Sequence, residues 1–288
     1  MFYTIKGGGL TAVVTDAGAQ LISLKDKFGK NLMWKPVQGY WLNVATVLFP
    51  VCGALLNQEY AYGGKTYPMT GHGFAHSRFF TMTSLTDSSV SFELKASLET
   101  KEIYPFDFTL TAEYSLGEDG LSAVFTVKND GGDTLPYMFG WHPGFALEEC
   151  DYKDYYLDFG KNTKLAVHWL NGPFANPKGE PFPTDDGVWH IDTARIYCND
   201  TLVLDGAKGY CAICRNGESR KIELLWSDNI PVFCVWKWAD DNARYICLEP
   251  WTGMPNDGVT KENFETRKME RLLPGKEEKY EYKIRLTY

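Results

Sequence analysis

Phe108-Thr109-Leu110-Thr111-Ala112-Glu113-Tyr114-Ser115-Leu116-Gly117-Glu118-Asp119-Gly120-Leu121-Ser122-Ala123-Val124-Phe125-Thr126-Val127 carries the reading of the fold. Apolar residues recur at every second position: Phe108, Leu110, Ala112 and Tyr114, then Leu121, Ala123, Phe125 and Val127. Side chains on a strand alternate between two faces, so this period describes strands with one buried face. The Gly-Glu-Asp-Gly between the runs reads as the turn of a β-hairpin. Val90, Phe92, Leu94, Ala96 and Leu98 alternate in the same way, as do Tyr280, Tyr282, Ile284 and Leu286. Turn signals such as Asn129-Asp130-Gly131-Gly132 and Gly63-Gly64 separate these runs. Only short helices are expected, around Asp151–Tyr155 and Asn263–Thr266. No Pro/Ser-rich linker and no repeat of fixed period breaks the pattern. The expectation is one all-β domain over residues 1–288, a large antiparallel sandwich of many strands.

The chain has 288 residues, enough to bury roughly three quarters of its unfolded surface without a metal or disulfide staple. Its net charge of -8 is dispersed, which argues against nucleic acid as a partner. No stretch approaches the roughly 20 apolar residues of a membrane helix. Met1-Phe2-Tyr3-Thr4-Ile5-Lys6 lacks the basic start and apolar core of a signal peptide. The seven scattered cysteines fit reduced thiols, and a cytoplasmic location is expected. The sequon Asn199-Asp200-Thr201 has no meaning in that compartment. Cys211-Ala212-Ile213-Cys214 has no second pair at zinc spacing, and on a strand its thiols point to opposite faces, so it reads as structural.

The candidate chemistry lies in three segments. Gly71-His72-Gly73-Phe74-Ala75-His76 and Gly140-Trp141-His142-Pro143-Gly144-Phe145 hold histidines among small residues that let a ligand approach. Cys247-Leu248-Glu249-Pro250-Trp251-Thr252-Gly253 holds a glutamate after an apolar strand, with the proline expected to mark the strand's end. A carboxylate in that setting is paired, hydrogen-bonded or functional. Each histidine, read alone, is more often a hydrogen-bonded structural residue than a functional one, and His168 and His190 are taken as structural. Together His142 and Glu249 would supply an acid and a base with ordinary pKa values of about 6.5 and about 4.3. There is no phosphate-binding glycine loop and no His/Cys metal spacing, so no cofactor and no metal is expected. Of the 17 Phe, 17 Tyr and 9 Trp, most belong in the core, and a few suit the C–H face of a sugar.

The order His-Gly-Phe-Ala, Gly-x-His-Pro-x-Phe, Glu-Pro-Trp-x-Gly resembles the aldose 1-epimerase (galactose mutarotase-like) family, and most of all its LacX-like branch. Phe49-Pro50-Val51-Cys52-Gly53, Tyr62-Gly63-Gly64-Lys65-Thr66-Tyr67, Tyr104-Pro105-Phe106 and Pro231-Val232-Phe233-Cys234-Val235-Trp236 extend the resemblance over roughly residues 2–287. It implies a β-supersandwich and an isomerase that interconverts the α and β anomers of a free monosaccharide. In that resemblance Glu249 is the general base for the anomeric hydroxyl and His142 the general acid for the ring oxygen. It further implies that His72 hydrogen-bonds the sugar, that Trp251 and Trp236 form apolar walls, and that Asp200 binds a hydroxyl. No cofactor, nucleic acid or membrane is implied, and the protein is expected as a monomer or homodimer.

Two arginines of the family pattern are absent. Ala54 and His76 stand in their places, and Arg78 is the nearest substitute. A guanidinium that grips two hydroxyls has no equivalent in a methyl group. The absences leave open a non-catalytic sugar-binding protein on the same fold. They disfavour a hexose-6-phosphate epimerase, which needs cations for the phosphate. A polysaccharide hydrolase would need a second carboxylate beside Glu249.

Overall fold

The computed structural model describes residues 1–147, 151–193, 196 and 201–288. The quoted hairpin forms as expected. Strands Phe108–Gly117 and Gly120–Asn129 pair antiparallel, with Gly117 opposite Gly120 across the two-residue Glu118-Asp119 turn. Gly120 takes a φ of +113°, and a Cβ there would run into the Ile284 carbonyl, so only glycine fits.

That hairpin lies within a nine-stranded sheet. Its order is Val188–His190, Tyr155–Asp158, Tyr210–Arg215, Lys221–Trp226, Glu277–Thr287, Gly120–Asn129, Phe108–Gly117, Ser89–Lys95, Thr81–Leu85. A second sheet has seven strands in the order Glu180–Phe182, Leu165–His168, Thr201–Asp205, Val232–Trp236, Tyr245–Trp251, Gly140–Ala146, Ala45–Leu48. Every neighbouring pair in both sheets is antiparallel. The sheets pack face to face through aromatic side chains. Trp141 meets Tyr282 edge-on at 5.4 Å, Phe139 stacks on Tyr280 at 4.9 Å, and Phe233 stacks on Trp226 at 4.8 Å. The period-two residues named from the sequence supply this core: Phe125, Tyr114, Leu110, Tyr280, Tyr282 and Ile284 are buried. The fold is thus the antiparallel β-sandwich read from the sequence.

Three details differ from the sequence reading. The run at Val90 ends as a strand at Lys95, and Leu98 opens a six-residue helix, Leu98–Ile103, with its side chain in solvent. Ser97 caps that helix, accepting from the Thr100 N–H while Thr100 Oγ1 accepts from the Ser97 N–H. This capping box outweighs the alternating pattern. At Asp151–Tyr155 the chain makes a single 3-10 turn, Tyr152–Asp154. At Asn263–Thr266 it makes only a turn, because the Asn263 side chain takes the Glu265 N–H at 2.7 Å and diverts the backbone from a helix. Cys211 and Cys214 lie on Tyr210–Arg215 as buried free thiols, and burial pushes both pKa values up. No helix among the described residues is long and apolar enough to cross a membrane.

Phe125 lies at the centre of the packed layer, against Tyr114, Phe139, Trp141 and Tyr282. Phe125→Ala is expected to cost about 3–5 kcal/mol of unfolding free energy, seen as a lower denaturant midpoint at unchanged slope. A loss under 1 kcal/mol would mean that this layer does not hold the sheets together.

Candidate functional site

Alternation along the central strands of the seven-stranded sheet sorts residues between core and site. On Tyr245–Trp251, Ile246 and Leu248 join the inter-sheet core, while Cys247, Glu249 and Trp251 face the other way. On the neighbouring Gly140–Ala146, Trp141 faces the core and His142 the opposite side. Gly140 pairs with Trp251 and Gly144 with Cys247, a register that sets His142 opposite Glu249. Thr46 pairs with His142 on the far side, and Cys234 with Glu249.

Pro143 and Pro250 both lie inside these strands. The Glu249 strand does not end at Pro250, as its sequence suggests, but continues to Trp251. Proline lacks the N–H that a ladder needs and is unusual in a central strand. Correspondingly, no pairing joins the two strands between Gly140 and Gly144. The backbone mesh is thinned where the two candidate side chains stand.

His142 Nε2 lies 3.2 Å from Glu249 Oε1. Glu249 is 1% exposed and His142 7%. Burial pushes the Glu249 carboxyl well above the usual carboxylate range, because water is withheld from the charged form. Burial, reinforced by His72 nearby, holds His142 well below the usual imidazole range. Three thiols on neighbouring positions, Cys52, Cys234 and Cys247, are buried, and their pKa values are raised first by burial and then by Glu249.

His72 approaches from the loop after the strand Lys65–Pro68, in a left-handed conformation with φ +64°. Its backbone N–H donates to the Gly53 carbonyl at 2.9 Å, and its Nδ1 accepts from the Gly53 N–H at 3.2 Å. Nδ1 is thereby the acceptor of a neutral ring, which leaves the proton on Nε2. Burial lowers its pKa to about 4, so the ring stays neutral near pH 7. Its ring stands edge-on to both His142, at 5.8 Å, and Trp251, at 5.6 Å.

These groups line a recess of about 340 Å³. Trp236 and Trp251, expected as walls, line it, and His76, in the place of a family arginine, does too. The other substituted position, Ala54, lies next to Gly71: a Cβ added to Gly71 would stand 3.5 Å from the Ala54 Cα. Arg78 does not reach the recess: its guanidinium pairs with Glu99 at 2.9 Å. Asp200 lies outside the described residues, although its neighbour Thr201 lines the recess.

Other wall residues went unseen in the sequence. Trp41 lies over the His142 ring at 4.8 Å and meets Trp236 edge-on at 5.5 Å. It comes from a stretch without periodicity, so nothing local marked it. Thr46 reaches the site only through strand pairing. Trp238 lies just past the end of the Val232–Trp236 strand and meets Trp236 edge-on at 6.2 Å.

Four buried polar atoms along this recess have no hydrogen-bond partner among the described residues: His76 Nδ1, His142 Nδ1, Glu249 Oε1 and Trp251 Nε1. Such groups cost free energy unless something meets them, and their convergence marks a place for a polar ligand. A larger cavity, about 620 Å³, lies elsewhere, beside Arg267, Glu262, Asn256 and His168. Its polar groups already serve one another. Arg267 donates to Glu262 at 2.7 Å, Asn256 donates to Glu262 at 2.8 Å, and His168 lies 2.9 Å from the Asn176 carbonyl and 3.1 Å from Asp205. Volume favours that cavity, but unmet hydrogen-bonding capacity and perturbed acids and bases favour the smaller recess.

The family description "Aldose 1-epimerase" matches residues 1–285. The chain is 29% identical over 266 residues to the chromosomal protein LacX of Lactococcus lactis, covering 88% of each. A galactose mutarotase-like protein from Lactobacillus casei superposes with a TM-score of 0.93 over all of both chains at 27% identity. A galactose mutarotase related enzyme from Lactobacillus acidophilus gives 0.93, with 100% of this chain and 98% of that one covered, also at 27% identity. The motifs, the two-sheet architecture and the match over nearly the whole length agree: the chain belongs to the aldose 1-epimerase family.

Proposed function

We propose that the protein is an aldose 1-epimerase that interconverts the α and β anomers of a free monosaccharide by acid–base ring opening. The observation that carries this reading is the His142–Glu249 pair, 3.2 Å apart and buried with unmet polar atoms among tryptophans. Mutarotation needs one base and one acid, with no redox or group-transfer chemistry. Glu249 takes the proton of the anomeric hydroxyl while His142 protonates the ring oxygen. The C1–O5 bond breaks, C1 becomes an aldehyde, and rotation about C1–C2 exposes its other face. Reclosure runs the two transfers backwards with the roles exchanged.

Desolvation favours the form in which Glu249 is a carboxylic acid and His142 a neutral imidazole. Moving that proton across the 3.2 Å contact gives the carboxylate and imidazolium that ring opening requires. The pair is therefore competent whenever it holds one proton in total. His72 donates from Nε2 to the sugar near the ring oxygen, and Trp236 and Trp251 pack against its C–H face. By the family resemblance Asp200 accepts from a sugar hydroxyl. No Lys or Arg lines the recess among the described residues, which supports a free sugar over a phosphorylated one. Ala54 and His76 in place of arginines favour a second reading, a sugar-binding protein without turnover. We place the protein in the cytoplasm, where its buried reduced thiols persist, as a monomer or homodimer.

Anomer exchange read by NMR over a panel of aldoses and their 6-phosphates tests the reading. Glu249→Gln and His142→Asn are each expected to fold and to lose roughly 10²–10⁴-fold in rate, the usual worth of one general acid or base. Full rate in either variant would remove that residue from the mechanism. Binding without acceleration of any sugar would select the second reading.

The pH profile follows from the directions of the two shifts. A second proton enters the pair only as pH falls through the lowered His142 value, and the last one leaves only as pH rises through the raised Glu249 value. Activity is thus retained between those two values and lost outside them. kcat/KM is expected to be flat well beyond the interval of about 4.3 to 6.5 set by unperturbed groups. A narrow bell inside that interval would contradict the shared-proton pair.

His72→Asn keeps a residue that tolerates positive φ but removes the ring donor. It is expected to lower kcat/KM by roughly 10-fold or more, the cost of leaving a sugar oxygen without its donor. An unchanged value would take His72 out of substrate binding.

A further inference from the structure

We propose that Cys247 joins His142 and Glu249 as a binding site for one zinc-class divalent cation, and that the bound cation blocks the recess. The sequence shows no metal spacing, because the ligands come from two adjacent strands. One ligand atom from each of the three residues lies within 4.8 Å of the others, and all three side chains are buried. Glu249 Oε1 accepts no hydrogen bond among the described residues, and the nearest candidate ligand atom to it is His142 Nε2 at 3.2 Å.

Imidazole, thiolate and carboxylate together form a donor set that suits zinc, and the thiolate argues against magnesium or calcium. Around a tetrahedral zinc with bonds of about 2.0 Å to N and O, those two atoms stand about 3.3 Å apart. His142 Nε2 and Glu249 Oε1 already stand at 3.2 Å. With a bond of about 2.3 Å to sulfur, the thiol has to close by about 1.3 Å at most from the 4.8 Å bound. Gly144 leaves the space for that movement. It pairs with Cys247 across the ladder, and a Cβ on it would come within 3.3 Å of the Cys247 sulfur and 2.8 Å of Trp41. Trp41 packs over the face of the His142 ring, whereas the Nε2 lone pair that binds an ion lies in the ring plane.

Binding displaces the thiol proton and the carboxyl proton of Glu249 to solvent and forms the Zn–S, Zn–O and Zn–N bonds. Thiolate and carboxylate cancel the two positive charges, so no net charge is buried. A fourth coordination position faces the recess. With the lone pairs of both proton carriers engaged, neither can move a proton. That inhibition rests on the function proposed above, whereas the binding does not.

Chelator-treated protein titrated with Co²⁺ separates the two. Saturation at one Co²⁺ per chain is expected, with a thiolate-to-cobalt charge-transfer band that Zn²⁺ abolishes. Cys247→Ser is expected to lose the band and to bind at least about 10-fold more weakly, since a soft ligand is replaced by a poor one. Cys211→Ser serves as the control and keeps the band. If Cys247→Ser does not fold, Glu249→Gln and His142→Asn are expected to weaken Co²⁺ binding instead. Absence of a saturable band, a band that persists in Cys247→Ser, or unchanged affinity in all ligand variants would overturn the site. In the anomer exchange assay Zn²⁺ is expected to slow the parent protein and to spare Cys247→Ser. Equal inhibition of both, or none of a metal-bound parent that turns over sugar, would overturn the blocking role. A protein that turns over no sugar would defeat the proposed function and leave the cobalt result to decide the site.

Discussion

A carboxyl group and an imidazole, kept from water and from any strong counter-ion, define this molecule. Isolated charge in such a place is expensive, and proteins answer by pairing the charge or by neutralising it. Here the neighbours of Glu249 are sulfur, tryptophan and His142. The two side chains stand 3.2 Å apart, and in the proposed mechanism they share one proton. Every element of the seven-stranded sheet serves that arrangement. Core side chains on one face anchor the strands, and the register presents the pair on the other.

The walls answer a different demand. A monosaccharide offers hydroxyls around its rim and C–H groups on its faces, and the recess has both kinds of partner. Tryptophans give flat apolar surface, and His72, His76 and Trp251 give directed polar atoms. The left-handed backbone at His72 is part of that precision. Gly53 holds both the backbone and the ring of His72, so its tautomer follows from local hydrogen bonding, whatever the substrate.

Much of this was legible in the sequence, for a definite reason. Period-two burial is a local property, so the hairpin around Glu118-Asp119 and the Tyr280–Leu286 run could be read without knowing any partner strand. His142, Glu249, Trp236 and Trp251 were also visible, because each motif pairs a candidate residue with prolines, glycines or tryptophans. Long-range pairing was not visible. Thr46 joins the site only because its strand lies beside that of His142, Cys247 shares the Glu249 strand but comes near His142 only through pairing of that strand with Gly140–Ala146, and Trp41 comes from a stretch with no pattern. Local chemistry misled in a few places. Ser97 turned an apparent strand continuation into a helix start, and Pro250 suggested an end to a strand that continues. Ala54 and His76 were read as losses. In space His76 is a wall of the recess, while Arg78 is occupied by Glu99.

Trp141 and His142 are consecutive residues, as are Leu248 and Glu249, and in each pair one side chain packs the sandwich while the other faces the recess. The same few peptide units thus serve two masters. A small shift in the interior, such as a methyl group gained or lost beneath Trp141, is carried through one Cα to the 3.2 Å contact between His142 and Glu249. Drift in the hydrophobic layer therefore displaces the recess along with the core. The sandwich interior and the recess evolve under a joint constraint, and no boundary in the chain separates scaffold from instrument.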